Sequence, residues 1–306
     1  MMLFLLLSSF LTLVELNCEN LFDCRHDSLK NDLEFTPDGD RHWNRTQYWN
    51  KLNRIGKEIL SSSDNLPDLV ALCEIENDTV MRDLSRRSLL RHAGYEYLMT
   101  ESSDLRGIDV ALLYQPTRFR PLCYECITVP TLADMRPTRD ILYIKGIYQQ
   151  LDTLHLFILH APSRFGGEPR TRPFRQQVVN TLLKVLTPLR HQHVIVTGDF
   201  NDYAENAAPQ LLEQHDVVNI SKSAKGKNGT AQGTYCYQGE WHSIDHIFLS
   251  PSLIPLVSEV YINDAPFLLE DDPLYGGRRP RRSFNGYRYQ KDGFSDHLPL
   301  VLKLKN

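Results

Sequence analysis

Short apolar runs separated by polar turns recur along the 306-residue chain. Most are too short for helices and rich in β-branched or aromatic residues, the mark of buried strands. LTLVEL at 11–16, LVALC at 69–73, RGIDVALLY at 106–114, the stretch 119–129, ILYIKGIY at 141–148 and LHLFILH at 154–160 read this way. So do VIV at 194–196, 234–237, SIDHIFLS at 243–250 and the end of 294–304. Gln115-Pro116 and Asp152-Thr153 supply turns between neighbours. Two stretches have the helical period instead. Trp49, Leu52, Ile55 and Ile59 form one apolar stripe within 48–60, and Phe174, Val178, Leu182, Val185 and Leu189 form another. Asn77 is placed to cap a helix after the second strand, and LLEQH at 211–215 reads as one further short helix.

The remainder is irregular. Residues 24–46 form a polar loop; 161–173 form a second, with Gly166-Gly167 and arginines 164, 170 and 172; 221–230 form a third. Residues 263–293 are long and structureless by pattern, and Arg278, Arg279, Arg281 and Arg282 within them read as a solvated face. No repeat, low-complexity block or linker divides the chain, so 10–306 is expected to be one domain of many strands with helices outside. Residues 1–9 stand apart: Met1 to Leu7 are apolar, and Ser8 and Ser9 resemble a small-residue cleavage site. The run is too short to span a bilayer but fits a signal-peptide core. The expectation is export, periplasmic or extracellular, with cleavage near Ser9; otherwise the protein is cytoplasmic. No Lys or Arg precedes the run, which a start site read slightly late would explain.

Charge narrows the function classes. Lys plus Arg number 34 and Asp plus Glu 38, a net −4. That is not the footprint of a tight, sequence-specific DNA binder, but it leaves room for an enzyme that meets phosphate through a divalent cation. Of the six cysteines, Cys123 and Cys126 form a CxxC on an expected strand, where residues three apart point to opposite faces. A shared metal there is not expected, and six thiols leave the disulfide pairing open.

The polar residues with chemical capacity share a placement. Asn17, Glu74, His160, Asp199 and Asn201 each follow an apolar run, whereas Asp245 and the pair Asp296-His297 precede one. Strands of opposite sense bring such ends and starts to one sheet edge. Carboxylate and amide oxygens suit a hard cation, Mg²⁺ or Mn²⁺, and no Cys/His set has zinc spacing.

On the segments LNCENLFD, LVALCEIEN, GIDVALLYQP, TRDILYIKG, ILHAPSRFGG, VIVTGDFND, SIDHIFLS and FSDHLPL, taken in this order, the chain resembles the endonuclease/exonuclease/phosphatase superfamily. The resemblance implies an α/β (α+β) fold: a four-layer αββα sandwich of two packed mixed sheets flanked by helices, with the site at one edge of the sheets. It implies that Glu74 is the principal metal ligand, supported by Asn17 and Asp296. Asp199 and Asn201 would orient the attacking water and the scissile phosphate. Asp245 would orient His297, His160 would match a second histidine, and Arg139 would contact phosphate together with Asn201.

The activity so implied is metal-dependent phosphodiester hydrolysis, with nucleic acid cleaved at low sequence specificity. His297 would serve as general base or, as imidazolium, stabilise the transition state; His160 would protonate the leaving oxygen or bind phosphate. The alternative is a phosphomonoesterase or phospholipase-C-like hydrolase of a small phosphoester or phospholipid. A binding protein that merely keeps the fold is disfavoured because every catalytic position carries a competent residue type. A monomer with no stable protein partner is expected.

Overall fold

The computed structural model describes residues 10–148 and 153–305. The expected leader at 1–9 lies outside the described residues, as does part of the turn at Asp152-Thr153. The first half of the chain forms β1 (Phe10–Leu21), α1 (Arg45–Leu60), β2 (Leu69–Ile75), α2 (Asp78–Arg86), β3 (Glu96–Met99), β4 (Asp109–Tyr114), β5 (Phe119–Ile127) and β6 (Ile141–Tyr148). Next come β7 (Thr153–His160), α3 (Glu168–Leu186), β8 (His193–Asp199), α4 (Ala207–Glu213) and β9 (Val218–Asn219). A hairpin of β10 (Tyr235–Tyr237) and β11 (Glu240–His242) leads to β12 (Asp245–Leu249) and β13 (Val257–Ile262). Two short hairpins follow: β14 (Leu269–Asp271) with β15 (Arg278–Pro280), and β16 (Phe284–Asn285) with β17 (Arg288–Tyr289). The chain closes with β18 (Leu300–Lys305).

Two six-stranded sheets result, ordered β13-β18-β1-β2-β4-β3 and β5-β6-β7-β8-β12-β9. Each is antiparallel except for one central parallel pair, β1 with β2 and β7 with β8. Strand alternation sorts the side chains into three apolar layers. Leu11, Leu13, Leu69 and Ala71 of the first sheet meet Leu156, Ile158, Ile195 and Ile247 of the second between the sheets. The opposite face of the first sheet, with Val14, Leu16, Val70 and Leu72, packs on Leu52, Ile55 and Ile59 of α1 and on Val80 and Leu84 of α2. The outer face of the second sheet, with Phe157, Leu159 and Val196, packs on Val178 and Leu182 of α3 and Leu212 of α4. The αββα sandwich expected from the sequence is the one observed.

Local capping explains the helix boundaries. Asn44 accepts from the Thr46 and Gln47 amides while Gln47 answers from its side chain, a capping box that starts α1 at Arg45, four residues before the apolar stripe. Asn77 caps α2 by accepting from the Val80 amide.

Three sequence expectations need correction. The first strand does not deliver Asn17 to its end but runs on to Leu21, with a register shift against β2 between Asn17 and Leu21. The loop at 161–173 is shorter than expected, because α3 begins at Glu168; Pro169 occupies its first turn, where no amide donor is needed. The arginine-rich stretch is not a solvated loop. It folds into a hairpin in which Arg279 pairs with Glu270 across the strands, Nε to Oε1 2.9 Å, while Arg281 donates to the Leu269 carbonyl.

Candidate active site

The alternation that fills the inter-sheet core also builds the site. In β7, Leu154, Leu156 and Ile158 face the other sheet, so His160 does too; in β8 the same parity gives Ile195, Thr197 and Asp199; in β12 it gives Asp245, Ile247 and Leu249. Register places them in one row, since His160 is paired with Asp199 and Asp199 with Asp245. From the first sheet, Asn17 shares its parity with Leu11 and Leu13. Where the apolar layer ends, these polar residues take over its floor.

Glu74 does not obey this rule. Alternation would turn it with Val70 and Leu72 toward the helices. Instead its φ is +63°, and the β2–β4 register shifts between Cys73 and Ile75. This bulge re-aims the carboxylate into the cavity, the usual service of such an irregularity at a site. Asn201 (φ +50°) likewise turns back after β8. Gly198 has φ +138°, and a Cβ there would lie 1.9 Å from the Leu159 carbonyl oxygen, so only glycine lets β8 approach β7 this closely before Asp199.

The resulting cavity, about 670 Å³, is lined by Asn17, Glu74, Arg139, His160, Asp199, Asn201, Asp296 and His297. Asp245 sits behind them, fully buried. All the candidate residues therefore converge, eight on the wall and Asp245 one layer beneath. Asp245 holds the His297 ring by Nδ1 (2.8 Å to Oδ2) and also accepts from the Thr234 hydroxyl. With Nδ1 so engaged, Nε2 is the ring nitrogen left for the cavity. Asp199 accepts from the Asn17 side chain (3.0 Å) and the Asn201 amide (2.8 Å), and its Oδ2 lies 3.4 Å from His160 Nε2. Asn201 spends both side-chain hydrogens within the protein, on the Ala161 carbonyl (3.1 Å) and on Asp199 (3.2 Å). It braces Asp199 in this structure. Arg139 donates to the same Ala161 carbonyl at 2.7 Å, and its buried Nε has no partner among the described residues.

Electrostatics separates the titratable groups. Burial opposes charge on His297, but Asp245, Asp199 and Asp296 outweigh it and hold the imidazole well above its usual range. Burial, then the Arg139 and Arg106 charges, push His160 well below that range, which keeps it neutral. Burial and the facing Asp245 charge push Asp199 up to about 7. Burial opposes the Glu74 carboxylate too, yet Arg106, His297 and the Asn20 amide hold it below the ordinary glutamate value.

Two sets of ligand atoms are available to a cation. Glu74, Asp296 and Asn17 line the same cavity, and their carboxylate and amide oxygens, with Glu74 held below the ordinary glutamate value, are the donor type that suits a hard divalent ion. Asp199, Asp245 and His297 place one ligand atom each within 4.8 Å of the others, but this second set is already knitted together by the Asp245–His297 bond.

Several contributors were not anticipated. Arg106 spans Glu74, with Nη1 and Nη2 each 3.4 Å from one carboxylate oxygen. Asn20 donates its amide to Glu74 at 2.7 Å. Tyr203, Tyr235, His242 and Arg164 complete the wall. Arg106 stood in the RGID segment beside a turn glycine, a signal the strand reading passed over.

The profile of the Endonuclease/Exonuclease/phosphatase family matches residues 12–306. No curated protein sequence matches the chain significantly. Among solved structures, a Bacteroides thetaiotaomicron endonuclease/exonuclease/phosphatase family protein superposes with TM-score 0.64 at 15% identity, covering 96% of this chain and 97% of its own. The Bacteroides thetaiotaomicron mannosyl-6-phosphatase gives TM-score 0.61 at 15% identity over 97% and 100% of the two chains. A D. rerio TDP2 complexed with single strand DNA product gives 0.52 at 17% identity over 97% and 100%. At such identities the superpositions speak for the fold, and the profile speaks for the family. The chain belongs to the endonuclease/exonuclease/phosphatase family and is a phosphoesterase hydrolase.

Proposed function

We propose that this enzyme hydrolyses phosphodiesters of nucleic acid with little sequence preference, using a divalent cation. The observation that supports this most directly is the convergence of Asp199, His160 and the Asp245-held His297 in one cavity with Glu74, Arg106 and Arg139. In-line displacement at phosphorus needs a positioned water, neutralisation of the phosphoryl oxygens and a proton for the leaving oxygen. Glu74, with Asn17 and Asp296, would hold Mg²⁺ or Mn²⁺, which supplies charge neutralisation when bound. Arg139, on the cavity lining, brings its guanidinium charge to a phosphoryl oxygen. Asp199, fixed by Asn17 and Asn201, orients the attacking water and accepts its proton. His297, kept as imidazolium by Asp245, stabilises the charge that develops on the phosphorane and gives its proton to the leaving oxygen as the P–O bond breaks, leaving the proton taken from water on Asp199. His160, neutral and buried, donates a hydrogen bond to the phosphate without adding charge.

A second reading, hydrolysis of a small phosphomonoester, is favoured by the cavity itself. About 670 Å³ falls within the range of small-molecule sites, and the −4 net charge offers no broad basic track for a duplex. Hydrolysis of a plasmid, of bis-p-nitrophenyl phosphate and of p-nitrophenyl phosphate, with Mg²⁺, with Mn²⁺ and with EDTA, separates the two. Cation-dependent strand cleavage that is lost in Glu74→Ala is the expected result. Turnover of the monoester alone would replace the nuclease reading with the phosphatase one.

A further inference from the structure

Part of the cavity lining is a set of flat side chains that extends outward from His297 and, beyond that residue, is not required by the hydrolytic chemistry. It starts at His297, whose ring lies 5.0 Å from that of Tyr235. Tyr235 is paired across the β10–β11 hairpin with His242. The His242 ring stacks on Tyr203, centroids 4.9 Å apart and planes within 17°. The Arg164 guanidinium lies over Tyr203, 4.2 Å from its centroid. Next to Arg164 in the chain, Phe165 also lines the cavity and is 91% exposed.

A phenylalanine this exposed gains nothing for the fold, and a run of rings reaching from the catalytic histidine to the rim is costly to leave in water unless something covers it. The same cavity is also lined by charge, with Glu74, Arg106 and Arg139. A ligand that matches both kinds of lining carries phosphate and, next to it, a flat, weakly polar ring. The geometry points to a stacking subsite for the nucleobase next to the scissile phosphate of a single strand, with Phe165, Tyr203 and His242 as its specificity-determining side chains. This rests on the phosphodiesterase reading above and deepens it.

The choice of a base over a sugar ring or an acyl chain follows from Arg164. A guanidinium stacked on a tyrosine extends the flat surface with a planar cation, and aromatic side chains with stacked arginine form the platform on which unpaired bases settle irrespective of sequence. A duplex keeps its bases stacked inward and cannot present a face here, so the subsite adds rate on unpaired strands and none on a duplex such as a plasmid.

The test compares kcat/KM for a short oligothymidylate with that for an oligomer of the same length and charge whose sugars carry no base. Base–aromatic stacking is worth roughly tenfold per base. The wild-type enzyme should therefore prefer the thymidylate by about that factor, and Phe165→Leu and Tyr203→Leu should pull the ratio toward one. Phe165→Leu keeps an apolar side chain at an exposed position and leaves folding intact; thermal melting checks Tyr203→Leu. Cleavage of both strands at equal rates by the wild-type enzyme would overturn the subsite while leaving the phosphodiesterase reading in place. Failure to cleave either strand with any cation would overturn that reading and the subsite with it.

Discussion

Asp199 and Asp245 stand directly opposite one another on antiparallel β8 and β12, both fully buried. Two like charges in that position destabilise a sheet, and the protein resolves the conflict chemically. His297 takes up Asp245, and Asp199 is pushed up to about 7 by burial and by the charge it faces. His297→Ala should lower kcat by at least ~10²-fold, the usual scale for a group that handles charge or protons in the transition state. Asp245→Asn removes the principal attraction that raises the His297 value. If His297 acts protonated, the alkaline limb of the rate profile should move to lower pH in this variant, and a profile unchanged in shape would remove the imidazolium from the mechanism.

Arg106 sits where a cation would act, spanning both oxygens of Glu74 at 3.4 Å. Its charge competes with a divalent ion for the same carboxylate. Arg106→Ala should therefore bind Mn²⁺ several-fold more tightly in titration calorimetry. Weaker binding would mean that Arg106 supports the ion instead of opposing it.

Glu58 on α1 is fully buried, and neither carboxylate oxygen has a partner among the described residues. Burial raises its pKa well above the usual glutamate value, with Lys51 opposing. The folded state thus holds this proton more tightly than the unfolded chain. Stability is full below the unfolded value and is lost as pH rises toward the folded one. Glu58→Gln should be close to neutral near pH 4 and stabilising by about 1 kcal/mol at pH 8, as read by urea unfolding at the two pH values. An equal effect at both would show that the charge is not the cause.

Gly198 offers a purely steric test. Its φ of +138°, and the 1.9 Å that would separate an added Cβ from the Leu159 carbonyl oxygen, leave no room for a side chain. Gly198→Ala should destabilise the fold by at least ~2 kcal/mol and displace Asp199, so that melting temperature and activity fall together. A stable variant with normal activity would show that β7 and β8 separate more readily than their pairing implies.

The sequence by itself marked most of the strands of both sheets and the placement of His160, Asp199 and Asp245 at strand ends and starts, whereas strand register drew the three into one row. Period-two parity and apolar burial are local properties, and in an unbroken strand a residue two positions beyond the last core residue faces the same way. The ordered segments likewise disclosed the family, which carried the fold to four layers. Three things were settled only in the tertiary structure. Glu74 enters the cavity through a bulge that breaks its own strand's parity, because a backbone irregularity depends on the neighbouring strand and leaves no period to read. Arg106 reaches Glu74, and Tyr203 stacks on His242, across sequence separations that local patterning does not span. The arginines at 278–282 looked like a solvated face because their partners, Glu270 and the Leu269 carbonyl, become neighbours only once a hairpin has closed.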